Sequence, residues 1–326
     1  MIDLLSLLKD VNAYKTVVGD KKNGKLSHAY LLICPDGDNL EGYLKLFARL
    51  LACGEEEPCG NCRNCRLIEE KAHPDVFFYP KGQSVATDDV NSLIEESFVK
   101  PIENDKKIFV LNHAETMNAT AQNKLLKTLE EPPKGVHIII GATSEFPLLS
   151  TVKSRVKKLE IPPFSRQKLF DALVNDYPDS QRLNSAIACG DGTVGTAVAL
   201  YGDQNLSDST DLAISVLRDM KSSADVIEYS VKVSANKGGF NQFLSVIETL
   251  LRDLLVYREG KGDLAFNQNT LNKILDAEKF PTGAILYALE GVTEVNKRRK
   301  FNANATMVIE WFLFHVLEGK YKWQKL

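Results

Sequence analysis

The sequence has no run of 18 apolar residues, and this excludes a conventional membrane-crossing helix. Net charge is also small: 40 Lys and Arg stand against 43 Asp and Glu, a balance of −3. The chain as a whole is no electrostatic magnet for nucleic acid, so any DNA contact requires a local basic patch or a partner. Internal repeats and low-complexity tracts are missing, which sets aside solenoids and disordered segments. Residues 1–10 (MIDLLSLLKD) are too short and too interrupted for a signal peptide and read as a small amphipathic helix. A cytoplasmic location without membrane contact is therefore the expectation. Cysteine is sparse outside one place: of six, only Cys34 and Cys189 stand apart from a cluster at Cys53, Cys59, Cys62 and Cys65.

What is present is a chain of 326 residues, enough for two or three domains. From residue 29 onward, strand-like and helix-like blocks alternate. AYLLIC (29–34), VFFY (76–79), KIFVL (107–111) and VHIIIG (136–141) are short apolar runs, with a further strand expected at 157–161. Between them, residues 40–53 space Leu44, Phe47, Ala48 and Leu51 as on a helix. Residues 87–99 start at Thr87, a cap candidate, with Asp88 and Asp89 in the first turn. Residues 118–131 put Leu125, Leu126 and Leu129 on one side and stop at Pro132-Pro133. This βαβα rhythm implies an α/β fold, a parallel sheet with helices on both faces. The first domain is expected over 1–163 and a small helical unit over 164–205, with a linker-like polar stretch at 202–209. The rest, 206–326, is almost wholly helical in pattern.

The cysteine spacing is Cys53-x5-Cys59-x2-Cys62-x2-Cys65. In a long chain without a secretion signal, such clustering points to metal rather than disulfides. Four thiolates complete the closed tetrahedral shell of structural zinc and leave no open position for catalysis. Four unrelated free thiols are the plainer alternative. A thioredoxin-like pair would need its CxxC to open a helix after a strand, and this one does not. The zinc role expected here is structural.

The loop after residue 33 lies where a phosphate-binding loop would begin. A working loop reads GxxxxGK[ST]: glycines let backbone amides reach the phosphates, Lys meets their charge, and the hydroxyl holds Mg²⁺. On that frame Cys34 and Asn39 take the two glycine positions, Leu40 replaces the Lys and Glu41 the Ser/Thr. A carboxylate beside phosphates repels them, so no ATP binding is expected. After 107–111, Asn112-His113 occupy the place of the Asp-Glu pair that would hold Mg²⁺ and orient water.

One stretch is more specific than these patterns. Residues 114–133, AETMNATAQNKLLKTLEEPP, resemble the delta-prime and gamma/tau subunits of the bacterial DNA polymerase III clamp loader, of the AAA+ superfamily. Ser27-His28-Ala29-Tyr30-Leu31 is similar to the family's first strand, the cysteine cluster to its zinc module, and Leu148-Leu149-Ser150-Thr151-Val152-Lys153-Ser154-Arg155 to its L-x-x-T-[IV]-x-SR-C motif. Val156 departs from the usual Cys. The resemblance is specific over about 25–165, weaker over 166–205 and architectural beyond, where Asn302-Ala303-Asn304 is similar to an N-x-N before the family's last helix.

The resemblance implies an AAA+ module with a small helical lid, followed by an all-α collar. The lost loop and lost acidic pair favour the non-catalytic delta-prime type, and Gly192-Thr193-Val194-Gly195 stands where an ATPase relative would carry a sensing Arg. An ATP-hydrolysing gamma/tau-like subunit is the alternative; a zinc-dependent nucleic-acid module is a second. The resemblance further implies a hetero-pentamer with gamma/tau and delta subunits, working within the DNA polymerase III holoenzyme (a DNA-directed DNA polymerase) on a sliding clamp and primed DNA. Arg155 matches the family's trans-acting arginine finger, with Ser154 in support. Met307 to Leu317 (MVIEWFLFHVL) is apolar on more faces than a private core needs. The basic run Asn296-Lys297-Arg298-Arg299-Lys300, like Lys124 and Lys127, reads as a solvated face before a DNA contact.

Overall fold

Five strands make one parallel sheet: four are buried or half-buried, and the edge strand Lys157–Glu160 buries only Leu159. The structure, a computed structural model, describes residues 3–103, 105–236, 239–262, 265, 271–272, 274, 280–300 and 304–323. Two compact units result: Met1–Ala172 with Thr193–Gly195, and Leu173–Gly192 with Thr196–Leu326.

In the first unit, α1 (Leu4–Leu8) and α2 (Asn12–Lys22) precede β1 (Ala29–Ile33). There follow α3 (Leu40–Ala52), α4 (Arg63–Glu69), β2 (Val76–Tyr79), α5 (Thr87–Ser97), β3 (Lys107–Leu111), α6 (Ala119–Glu130), β4 (Val136–Ala142), α7 (Ser150–Lys153) and β5 (Lys157–Glu160). The strand order is β2-β3-β4-β1-β5, and every pairing is parallel. Parallel strands are covered on both faces and so read as apolar runs. The central strands β3 and β4 are buried throughout. Alternation of side chains sorts the two faces. Leu31, Phe109, Ile138 and Ile140 share a core with Val90 and Leu93 of α5 and Leu125 and Leu129 of α6. Gly141 points the other way, and a Cβ there would lie 2.6 Å from Leu44 Cδ1, so α3 sits this close to the sheet only over a glycine. This is the α/β module, a parallel sheet with helices packed on its faces, that the sequence implies.

Two local details differ from expectation. Thr87 is the first residue of α5 rather than its cap; Asp89 reaches back to accept the N–H of Ala86 at 3.0 Å. Residues 205–209 are helical, not linker: they open the helix Asn205–Asp219, because Leu206 is buried and Asp203 accepts the N–H of Asn205 at 2.9 Å.

After α8 (Arg166–Leu173) come α9 (Ser180–Cys189), α10 (Val194–Gly202), α11 (Asn205–Asp219), α12 (Ser223–Ala235), α13 (Gly239–Arg258), α14 (Thr282–Lys300) and α15 (Ala305–Lys322). All the regular secondary structure among the second unit's described residues is helical. Its core joins Val216 and Leu217 to Phe243, Ile247, Ile285, Phe312 and Leu313. Lys320 is 7% exposed, and burial pushes its ammonium down to about 8. It donates to the carbonyls of Leu217 at 2.6 Å and Met220 at 3.0 Å, which the end of α11 leaves without helical partners. An unmet buried carbonyl costs about 1–3 kcal/mol, so this lysine ties the last helix to α11.

Candidate functional site: a cysteine knuckle and a closed loop

The cysteine cluster forms where α3 ends. Cys53 leaves the helix in extended backbone, and Gly60, at φ 74°, supplies the left-handed residue that a CGNC turn needs. The N–H of Cys62 donates to Cys59 Sγ at 3.3 Å, and the N–H of Cys65 donates to Cys62 Sγ at 3.4 Å. Cys62 thereby caps α4, so this CxxC does open a helix, but after a loop rather than a strand. All four Sγ atoms lie within 4.8 Å of one another, with Cys53 at 3.7 Å from Cys59 and 3.9 Å from Cys62. Zinc–sulfur bonds of about 2.3 Å in a tetrahedron place sulfurs roughly 3.8 Å apart, so the donor set fits that ion. Backbone N–H groups of Cys62 and Asn61 pull the Cys59 thiol down to about 6, whereas burial pushes Cys65 up to about 12. Neighbouring residues brace the knuckle. Lys21 of α2 donates to the carbonyls of Leu50 at 2.8 Å and Cys53 at 2.7 Å, and Asn64 Nδ2 to that of Ala52 at 2.9 Å. Cys34 lies apart and is buried, its thiol pushed up to about 12 by burial; Cys189 is half-buried in α9.

The second constellation lies at the carboxyl ends of β1, β3 and β4, where ligands bind in open α/β sheets. Leu40 is fully buried in the first turn of α3, so the position of a phosphate-binding Lys faces the core. Glu41 points elsewhere and pairs with Lys71 at 2.7 Å and Lys45 at 3.6 Å. Within the loop, Asp36 is 3% exposed. Its carboxylate accepts from Asn39 Nδ2 at 3.1 Å, Tyr43 Oη at 3.3 Å, the N–H of Val194 at 3.0 Å and the N–H of Gly195 at 3.2 Å. Burial, and then the Asp36 charge, hold the Tyr43 phenol far above its ordinary range. Asn112 and His113 hold no carboxylate pair. His113, at φ 54°, sets Nδ1 3.0 Å from Glu115 Oε1, the same oxygen that accepts from Thr143 Oγ1 at 2.7 Å.

Arg155 follows α7. Its Nε donates to Glu130 Oε1 at 2.7 Å, and one terminal nitrogen donates to the Thr151 carbonyl at 2.8 Å and to Ser154 Oγ at 3.3 Å. Ser154 Oγ donates in turn to the Thr151 carbonyl at 3.1 Å. The side chain is 33% exposed. Lys124 donates to Asn91 Oδ1 at 2.9 Å, and Lys127 is exposed. Arg298 pairs with Glu294 and stacks 4.0 Å from the Trp311 ring, while Asn296 and Lys297 are exposed. The side chains of residues 299 and 300, and residues 302 and 303, lie outside the described residues; Asn304 caps α15, accepting from Met307 N–H at 3.3 Å.

Residues 10–165 match the family described as "DNA polymerase III, delta subunit". DNA polymerase III subunit delta' of Bacillus subtilis is 28% identical over 94% of this chain and 95% of its own length. The chain is a relative of the delta-prime subunits. DNA polymerase III subunit tau of Bacillus subtilis is 26% identical over 61% of the chain and 37% of its own. Among solved structures, a gamma subunit-related protein of Thermotoga maritima aligns with 93% of this chain and 99% of its own at 18% identity and a TM-score of 0.38. No described helix of this delta-prime relative is long and apolar enough to cross a membrane. Sequence reasoning about it missed Asp36, Tyr43, Glu115 and Thr143. Asp36 lies in Pro35-Asp36-Gly37-Asp38, which reads as an ordinary turn, and only a count of buried carboxylates would have marked it.

Proposed function

We propose that the chain is a non-hydrolysing, delta-prime-type subunit of a DNA polymerase III clamp loader, one that helps place a sliding clamp on primed DNA. The observation that carries this reading is the loop at Asp36, closed by the chain's own carboxylate in a sequence otherwise similar to delta-prime along nearly its whole length. A module of this kind acts through its neighbours. Its partners are gamma/tau and delta subunits in a hetero-pentamer, whose interfaces are heterologous, each subunit presenting one face to a different face of the next.

Arg155 is the residue this chain contributes to the chemistry, as an arginine finger on a neighbour's ATP, with Ser154 holding it by a hydrogen bond. In the lone chain it is paired with Glu130. A part-exposed pair of that kind is worth about 0–1 kcal/mol. Stabilising the transferred phosphoryl in the transition state is worth roughly 10³–10⁵ in rate, far more than the pair with Glu130 holds back. Zinc, held by Cys53, Cys59, Cys62 and Cys65, supplies a closed structural shell. Residues 1–163 act as the AAA+ module, 164–205 as lid and 206–326 as collar. Met307 and Phe314, 70% and 43% exposed on the last helix, support a collar that packs on other subunits.

The match to tau favours a second reading, an ATP-hydrolysing gamma/tau-like subunit. Leu40 and Glu41 oppose it. Calorimetry of Mg-ATP against the lone chain separates the two. No heat of binding is expected with ATP up to millimolar levels; a low-micromolar dissociation constant would establish the gamma/tau-like reading instead.

A further inference from the structure

We propose that Asp36 is a resident anion: its carboxylate takes the place of a nucleotide phosphate and closes this loop without a ligand. The inference rests on the nucleotide-free reading above and adds the group responsible for it.

The N-terminus of a helix offers unpaired N–H groups and a partial positive charge, the usual setting for a bound phosphate. Here α10 begins at Val194, and the N–H groups of Val194 and Gly195 both donate to Asp36. Thr193, Val194 and Gly195 belong to the same compact unit as Asp36. The carboxylate is almost wholly out of water, a costly condition for a charge unless its oxygens are all met. Four donors meet them: two backbone amides, Asn39 Nδ2 and Tyr43 Oη. A carboxylate offers about four acceptor sites, so the set is complete and a phosphate has no donor left to claim.

Two neighbouring residues are shaped to this arrangement. A Cβ on Gly195 would stand 2.7 Å from Asp36 Oδ1 and 2.8 Å from Asp38 Cβ, so only glycine admits the close approach. Val194 is fully buried and Thr193 is 4% exposed, which keeps water from competing for the carboxylate. In a working loop the anion arrives with the nucleotide and leaves as product. Here it is covalently part of the chain, so the closed state has no dependence on the nucleotide cycle.

The test is anion rescue in the full-length chain. Asp36→Ala removes the anion and leaves a space next to two unmet amides. Its melting temperature falls by about 5–10 °C, and the amides of Val194 and Gly195 lose protection from hydrogen exchange. Formate, a small carboxylate, then raises the melting temperature of the variant by about 3 °C or more and restores protection, relative to chloride at equal ionic strength. Wild type does not respond to formate. Asp36→Asn keeps the shape without the charge, loses less stability and shows no formate response, since the space stays filled. If Asp36→Ala cannot be isolated folded, Gly195→Ala serves: it is destabilised to a similar degree and shows the same loss of protection. Wild-type melting and exchange in Asp36→Ala or Gly195→Ala would overturn the inference, as would a destabilised Asp36→Ala indifferent to formate. Those results leave the nucleotide-free reading standing, because Mg-ATP titration of wild type tests that reading separately.

Discussion

Cys62→Ser is expected to release the metal and to lower the melting temperature of the first unit by at least about 10 °C, while the helical second unit keeps its fold. The size follows from the chemistry. Structural zinc on a four-ligand site carries roughly 10–16 kcal/mol of apparent binding free energy in isolated peptides, and that energy is folding energy for the segment that wraps the ion. Serine is well chosen because it preserves the other role of this position. Cys62 caps α4, and serine is among the best capping residues. Loss of the cap therefore does not explain a fall in stability. What serine removes is one of four sulfurs that lie within 4.8 Å of one another. Elemental analysis should give one zinc per wild-type chain purified without chelators, and much less for the variant. Metal-free wild type, or a variant whose stability matches wild type, would contradict the assignment of Cys53, Cys59, Cys62 and Cys65 as ligands.

The second large effect is expected at Arg155. Arg155→Ala should leave the chain folded, since its pair with Glu130 is part-exposed and worth about 0–1 kcal/mol. The variant should enter the reconstituted complex like wild type. DNA-stimulated ATP turnover should then fall, because one site loses an arginine worth roughly 10³–10⁵ in rate while the others keep theirs. The loss is thus close to that site's share of turnover, unless firing is concerted, in which case it is larger. Arg155→Lys should rescue little: an ammonium cannot reproduce the planar fork that now binds Glu130, Thr151 and Ser154 together. Glu130→Gln provides the complementary check, freeing Arg155 without removing it, and should leave turnover at or above the wild-type level. Undiminished turnover and clamp loading with Arg155→Ala, with incorporation verified by gel filtration, would make Arg155 a surface residue and nothing more.

Much of the first unit was legible because its signals are local. Short apolar runs mark β1 to β4, Pro132-Pro133 ends α6 one residue after its last helical turn, and the cysteine spacing announces a four-sulfur knuckle. Errors of reading arose where a distant or reversed partner decides. Thr87 has the right side chain for a cap, but Asp89 does that work from inside the helix. The polar run at 202–209 looks like linker until burial of Leu206 draws it into α11. Asp36 was invisible because its amide donors lie 158 and 159 residues downstream, and nothing in a four-residue turn signals them. Lys21 and Lys320 are similar cases: each looks like a solvated lysine, yet each ends a helix elsewhere in its unit by binding carbonyls. Arg155 was legible as a motif, whereas its resting partner Glu130 was not.

The central claim is that this chain works as a delta-prime-type member of a clamp loader, and assembly tests it most directly. The purified chain is mixed with gamma/tau and delta subunits from its own host and followed by gel filtration with mass measurement. Co-elution of all three in one stable complex, with this chain present at one copy, is the expected result. Elution of the chain by itself, with gamma/tau and delta forming a complete ATP-hydrolysing clamp loader in its absence, would contradict the claim.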